Sequence, residues 1–432
     1  MASLMRFTIP VLFALFLQAL YSGVDLMIVG QFAETADVSG VASGTSLTMT
    51  LTQVITGLST GITVLVGEKI GQKRPDEAGR AIGCGICLFA AAALIITAVL
   101  VPGAGVIASA LQAPEEAYAQ TVSYIRICGM GAVFITAYNV IGAVFRGLGD
   151  SGTPLFTVAV ACVTNIIGDL VFVAGFHMGA AGAAVSTVMA QALSVVISLL
   201  LIRKKELSFT LTRDSFRLKG GFIAKELKLG APLALQEVFV GVSFMFIQAV
   251  VNTFGVTASA GVGVAEKVAA FVMLIPSAYM QSMSAFVAQN LGAGDMARAR
   301  KALKLSVITA FAAGIVMLCV QYFGGGLLSA IFTADAEVIA ASHSYLKAYA
   351  IDSLISPMMF CMLGYFNGCE KSVFVMVQGL IGAIGVRMPI VYLVSRIPGV
   401  TLFTLGLGTV ASSVVQMTLC VAYYCLTERK KK

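Results

Sequence analysis

The chain has 432 residues, of which 58% are hydrophobic and 11% charged, and its mean hydropathy is +0.94. Soluble domains carry about 25% charged residues. This composition therefore excludes a soluble enzyme and describes a polytopic membrane protein, and the formal net charge of +7 is spread along loops and ends rather than gathered into a nucleic-acid-binding patch.

A helix needs about 20 apolar residues to cross a hydrocarbon core of roughly 30 Å. Runs of that kind predict twelve helices, at 8–30, 40–66, 80–101, 122–145, 154–176, 180–202, 228–253, 260–288, 300–322, 344–367, 373–395 and 401–425. The first is too long for a cleavable signal peptide and others follow it. All Lys and Arg except Arg126, Lys267, Lys347, Arg387 and Arg396 fall at the termini or in even-numbered loops. By the positive-inside rule both termini are expected in the cytoplasm, and the chain in the inner (plasma) membrane.

The chain reads as two related halves. Ser123 and Ser344, Tyr124 and Tyr345, Phe145 and Phe366, Gly147 and Gly368, and Ser151 and Ser372 all stand 221 residues apart. Gly71 and Gly292 keep that offset in the paired second loops, and Pro10 and Pro232 lie 222 apart. Six spans per half make the halves parallel, related by an axis along the membrane normal. The expected division is an N-lobe at 1–202, a cytoplasmic linker at 203–227 and a C-lobe at 228–432. The linker is basic, and an amphipathic interfacial helix or a plain solvated loop both fit it.

Within the first span, Pro10 and Asp25 are the features that a passive anchor does not need. A carboxylate at the bilayer centre costs about 2.5–3.5 kcal/mol by insertion scales, so it faces protein or a wet cavity. Five acids lie inside spans: Asp25, Asp169, Glu237, Glu266 and Asp352. Asp25 is fifteen residues past Pro10 and Asp169 fifteen past Pro154. Both are thus about 22 Å from the cytoplasmic side by helix rise. Asn165 and Asp169, four apart, share one helix face. Two carboxylates and a carboxamide at one depth suit a proton site, a Na⁺ site completed by backbone carbonyls, or a hydrogen-bonded polar plug. In the second half, Glu237 stands five past Pro232 and Asp352 five before Pro357, at unequal depths. Glu266 and Lys267 are expected to neutralise each other. Arg387, beside Pro389, can satisfy a carboxylate or freed carbonyls.

Other groups read as structure. Cys84 and Cys87 form a CxxC in an apolar helix without a neighbouring His, which suits packing better than metal. Gly57-Leu-Ser-Thr-Gly61 is a small-xxx-small packing pattern. Pro276, Pro357 and Pro389 are expected to kink their helices. No HExxH or P-loop occurs, and the two His, His177 and His343, fall in predicted outer loops. No enzyme activity or organic cofactor is expected. An ion gradient is the energy source left.

These residues resemble the multidrug and toxic compound extrusion (MATE) family of cation-coupled antiporters over essentially the whole chain. The resemblance rests on Pro10, Val24, Asp25, Val29 and Gly30 in the first span, and on RGLGDSGTP at Arg146 to Pro154. It also rests on Asn165 with Asp169, on QNLGAGD at Gln289 to Asp295, and on Asp352 followed by Gly368. It implies two six-helix lobes in a V around a central cavity that opens alternately to each side. It implies an N-lobe cation site at Asp25, Asn165 and Asp169, a helix bend at Pro10, and, as in some members, a Na⁺ site at Glu237 and Asp352. The function so implied is export of amphipathic, often cationic organic compounds in exchange for H⁺ or Na⁺, by a monomer in the bilayer. A flippase for a lipid-linked or polysaccharide substrate is the competing transporter reading, and a non-transporting receptor the competing class. Intramembrane acids outnumber bases, which favours export of cations.

Overall fold

The computed structural model describes residues 2–204, 209, 211–216 and 221–429. It is helical: α1 (Ala2–Phe32), α2 (Thr35–Gly71), α3 (Pro75–Ala110), α4 (Tyr118–Met130), α5 (Ala132–Leu148), α6 (Gly152–Asp169), α7 (Gly179–Lys204), α8 (Phe222–Asn252), α9 (Val256–Val272), α10 (Leu274–Gly292), α11 (Met296–Ala330), α12 (Ala336–Gly368), α13 (Ser372–Leu380), α14 (Met388–Ser395) and α15 (Leu402–Arg429). Two wide π turns, Leu170–Gly175 and Ile381–Arg387, follow α6 and α13. Among the described residues, eleven helical stretches are long and apolar enough to cross a membrane. Helices α4 and α5, bent by 56° around Gly131, make the twelfth. The chain is therefore a multi-span membrane protein of the predicted helix number. The linker expected at 203–227 lies partly outside the described residues, as does the tail Lys430–Lys432. Within it, a short turn at Arg213–Phe216 and the head of α8 from Phe222 are described.

The chain divides into two compact units, Arg6–Ala234 with Gly292–Gly294, and Met1–Met5 with Leu235–Leu291 and Asp295–Lys432. In the first, α2 packs on α5, α3 on α4 and α6 on α7. Lipid tails are as apolar as Leu, so helix association here depends on close packing and buried polar contacts. The Gly57–Gly61 pattern serves that end. A Cβ on Gly57 would meet the Ala234 backbone at 3.0 Å, and one on Gly61 the Glu226 carbonyl at 2.5 Å. From the other side, a Cβ on Gly230 would stand 2.1 Å from the Leu58 carbonyl oxygen. The head of α8 thus lies directly on α2. Its Lys225 Nζ donates to Glu68 Oε2 at 2.6 Å, and Lys69 pairs with Glu77 at 2.8 Å. Cys84 is buried and Cys87 partly so, both as free thiols.

The second unit is built on α12, the most enclosed span, which packs against α9, α11 and α15. Gln321 on α11 donates to Ser353 Oγ at 2.5 Å, and Ser329 and Ser342 are hydrogen-bonded at 2.8 Å. These contacts hold the buried hydroxyls and the Gln321 amide nitrogen inside the bundle. The Pro residues act unequally. Helix α12 continues through Pro357, whereas Pro276 falls in the first turn of α10, where its missing N–H costs nothing, and Pro389 follows the π turn.

The repeat extends to the backbone. Left-handed residues occur at Lys73 (φ 57°) and Gly294 (φ 75°), and at Gly149 (φ 82°) and Glu370 (φ 61°), each pair 221 apart. His177 (φ 54°) and Gly399 (φ 76°) stand 222 apart. In each pair one half uses Gly, which adopts this conformation without a Cβ clash, while the other holds a larger residue there.

Candidate functional site

The first unit gathers Asp25 from α1, Asn165 and Asp169 from α6, and Ser186 and Thr187 from α7. All five are buried, with Asp169 at 0% and Asp25 at 3% exposure. Asn165 and Asp169 face the same way because they are one helical turn apart. Asp169 ends the α-helical stretch, and the π turn begins at the next residue. Close approach of α6 and α7 brings Ser186 in: a Cβ on Gly168 would lie 2.7 Å from Ser186 Cβ.

The polar contacts form one connected set. Asn165 Nδ2 lies 3.5 Å from Asp25 Oδ1, 3.5 Å from Ser186 Oγ and 3.4 Å from Thr187 Oγ1. The Ser186 hydroxyl donates to Asp169 Oδ1. Among the described residues, neither Asp25 nor Asp169 forms an ion pair with a Lys or Arg. Among the described residues, Asp169 Oδ2 and Asn165 Oδ1 have no donor. Two carboxylates about 4 Å apart at an effective dielectric of about 20 repel by roughly 4 kcal/mol. A proton shared between them, or a monovalent cation held by these oxygens, removes that repulsion. Helix α1 runs continuously through Pro10.

In the second unit the expected residues are not all brought together. Asp352 is buried on α12, and its Oδ1 has no hydrogen-bond partner among the described residues. Among the described residues, no interaction joins Asp352 to Glu237, which is half-buried on α8. The guanidinium of Arg387 donates to Ser243 Oγ at 3.2 Å and lies over the Phe244 ring, 4.7 Å from its centroid. The expected neutralisation of Glu266 by Lys267 is absent. Lys267 Nζ sits 6.0 Å from the Phe332 ring centroid, and Glu266 Oε1 has no hydrogen-bond partner. Consecutive helical residues point about 100° apart, so neighbours in sequence do not face each other.

Four buried or capping polar residues carry little sequence signal. Ser186 and Thr187 are small hydroxyl residues in an apolar helix, where such residues usually serve packing. Glu226, inside a charged run that reads as linker, is 1% exposed with neither side-chain oxygen hydrogen-bonded. Asp37, at the start of α2, accepts from the Ala180 N–H at 2.8 Å and so caps α7.

A family model described as MatE matches residues 10–171 and again 232–393, two blocks 222 residues apart. The chain belongs to the MatE family. Among curated proteins, the multidrug export protein MepA of Staphylococcus haemolyticus is 21% identical over 97% of this chain and 91% of its own length. YpnP of Bacillus subtilis, named as a probable multidrug resistance protein, is 28% identical over 69% of this chain and 66% of its own. A MATE transporter crystallised in complex with MaL6 superposes with a TM-score of 0.93 at 17% identity, covering 100% of this chain and 97% of that one. The Vibrio cholerae MATE transporter VcmN gives 0.92 at 19% identity, covering 99% and 97%. At these identities the structural likeness establishes the fold alone, an all-helical architecture shared with solved MATE transporters.

Proposed function

We propose that this MatE protein is a secondary active exporter of amphipathic organic cations, driven by inward flow of H⁺ or Na⁺ through the Asp25–Asn165–Asp169 set. The observation that carries this reading is the pair of buried carboxylates without a basic partner among the described residues, linked through Asn165 and Ser186. A permanent structural plug would gain nothing from two acids that repel each other. A site that must take up and release a monovalent cation needs that arrangement. Lobes at 1–202 and 228–432, cytoplasmic termini and a monomer in the plasma membrane complete the proposal. Glu237 is the candidate for the substrate side of the exchange, where its half-buried carboxylate can meet an organic cation, and the buried Asp352 is a second acid of the same half.

Counterflow in proteoliposomes tests transport itself. Vesicles loaded with unlabelled ethidium should accumulate labelled ethidium when the protein is present. Absence of exchange for ethidium and for other lipophilic cations would contradict the proposed activity.

A further inference from the structure

Glu226 lies where the head of α8 meets α2 and α3. It is 1% exposed, and among the described residues neither Oε1 nor Oε2 has a hydrogen-bond partner. Its surroundings are small and apolar. A Cβ on Gly61 of α2 would stand 2.5 Å from the Glu226 carbonyl oxygen. One on Gly85 of α3 would stand 3.5 Å from Glu226 Oε1 and 2.6 Å from Ile62 Cδ1. The carboxyl thus rests over a glycine gap beside an isoleucine. Two further close approaches seat the head, Gly230 against the Leu58 carbonyl and Gly57 against the Ala234 backbone. Alongside, the turn Arg213–Phe216 lies on α3, where a Cβ on Gly83 would meet the Ser215 carbonyl oxygen at 2.2 Å.

The charges of the neighbouring elements are engaged elsewhere or exposed. On α2, Glu68 takes Lys225 at 2.6 Å, and Lys69 takes Glu77 at 2.8 Å. On α3, Arg80 is exposed, and Cys84 and Cys87 are free thiols. The turn offers the Ser215 hydroxyl, and on α8 itself Lys228 is exposed. Among the described residues, no ion pair includes Glu226. A carboxylate taken out of water without donors or a counter-ion is strongly disfavoured, whereas the protonated acid is only a polar group. Packing does not ask for an acid here. At the 222-residue offset of Pro10 and Pro232, the equivalent place on α1 holds Leu4, itself buried.

We propose that Glu226 is a proton-binding site. Its carboxyl holds a proton while the head of α8 is seated on α2 and α3. When the head lifts, the O–H bond breaks, the proton passes to water and the carboxylate left behind is hydrated. Seating and protonation are then one event. The site is separate from Asp25, Asn165 and Asp169 and does not depend on what they bind.

Infrared difference spectroscopy of purified full-length protein in detergent reads the proton, at about pH 7, where a free Glu is ionised. The parent minus Glu226→Gln should show a carboxylic acid C=O band. Other buried acids are common to both samples and cancel. Glu226→Met should remove the same band, and it serves as the reference should the Gln variant not fold. Gly230→Ala, whose Cβ would stand 2.1 Å from the Leu58 carbonyl oxygen, should displace the head and lose the band as well. Should it not fold, Gly57→Ala replaces it, with a Cβ 3.0 Å from the Ala234 backbone. Thermal melting reads the coupling. The seated form binds a proton that the unfolded chain releases, so stability falls as pH rises. From about pH 5 to about pH 9 the parent should lose about 3 °C or more of Tm relative to Glu226→Gln. Parallel melting curves, no acid band in the parent, or a band that survives displacement of the head would overturn the proposal. Because no transport is read, failure of the proposed export activity leaves this result independent.

Discussion

Asn165 Nδ2 stands 3.5 Å from Asp25 Oδ1 although 140 residues separate them in the chain. That approach joins the first span to the fifth at a layer where both are buried, and the same amide reaches Ser186 and Thr187 on α7. Asp169 completes the layer through the Ser186 hydroxyl.

If both acids hold the exchanged cation, removing either charge should stop coupling. Asp25→Asn and Asp169→Asn should each reduce gradient-driven ethidium efflux to the level of vesicles without protein. Membrane abundance should stay near that of the parent, since Asn keeps the shape and adds a donor to an acceptor-rich layer. Immunodetection beside the efflux assay separates the two.

Ser186→Ala should weaken efflux without abolishing it. A hydrogen bond to a charged group contributes about 1.5–3 kcal/mol, so a loss of roughly ten- to a hundredfold in the initial rate is expected at a fixed gradient. Dependence on the gradient should remain, in contrast to the carboxylate variants. Unchanged rates would remove Ser186 from the site.

Much of this arrangement was legible in the chain. The 221-residue offset seen in Ser123 and Ser344 also marks the left-handed residues Lys73 with Gly294 and Gly149 with Glu370. Asp25, Asn165 and Asp169 stood out because charge and amide are costly in an apolar span. Ser186 did not, because a hydroxyl in a Gly- and Ala-rich helix has many packing uses. Glu226 was hidden by its neighbours Lys225 and Lys228, since composition alone cannot separate a solvated loop from a buried helix head. The pairing of Glu266 with Lys267 failed on helical geometry. The bend at Gly131 was equally silent, and its counterpart 221 residues on is Asp352, in an unbroken helix.

Asp37 reaches the start of α7 from α2, and its carboxylate is the acceptor for the Ala180 N–H. Loss of such a cap costs about 1 kcal/mol. Asp37→Ala should therefore melt a few degrees lower than the parent, and Asp37→Asn, which keeps an acceptor, should lose less. Scanning fluorimetry in detergent reads the difference.

Gly230 tests the seat of α8 on α2. A Cβ there would stand 2.1 Å from the Leu58 carbonyl oxygen, a backbone atom that cannot swing aside. Overpacking of this kind costs about 1–3 kcal/mol. Gly230→Val should lower both Tm and membrane abundance, whereas Gly241→Val, where nothing lies within 4 Å, should leave them unchanged.

The central claim is that ion coupling resides in the first half, at Asp25, Asn165 and Asp169. Ethidium transport in proteoliposomes, with ΔpH and a Na⁺ gradient imposed separately, tests it most directly when the parent runs beside Asp25→Asn and Glu237→Gln. Transport driven by one of the two gradients, lost in Asp25→Asn and retained in Glu237→Gln, is the expected result. Gradient-driven transport that survives Asp25→Asn and disappears in Glu237→Gln would contradict it and move the coupling site to the second half.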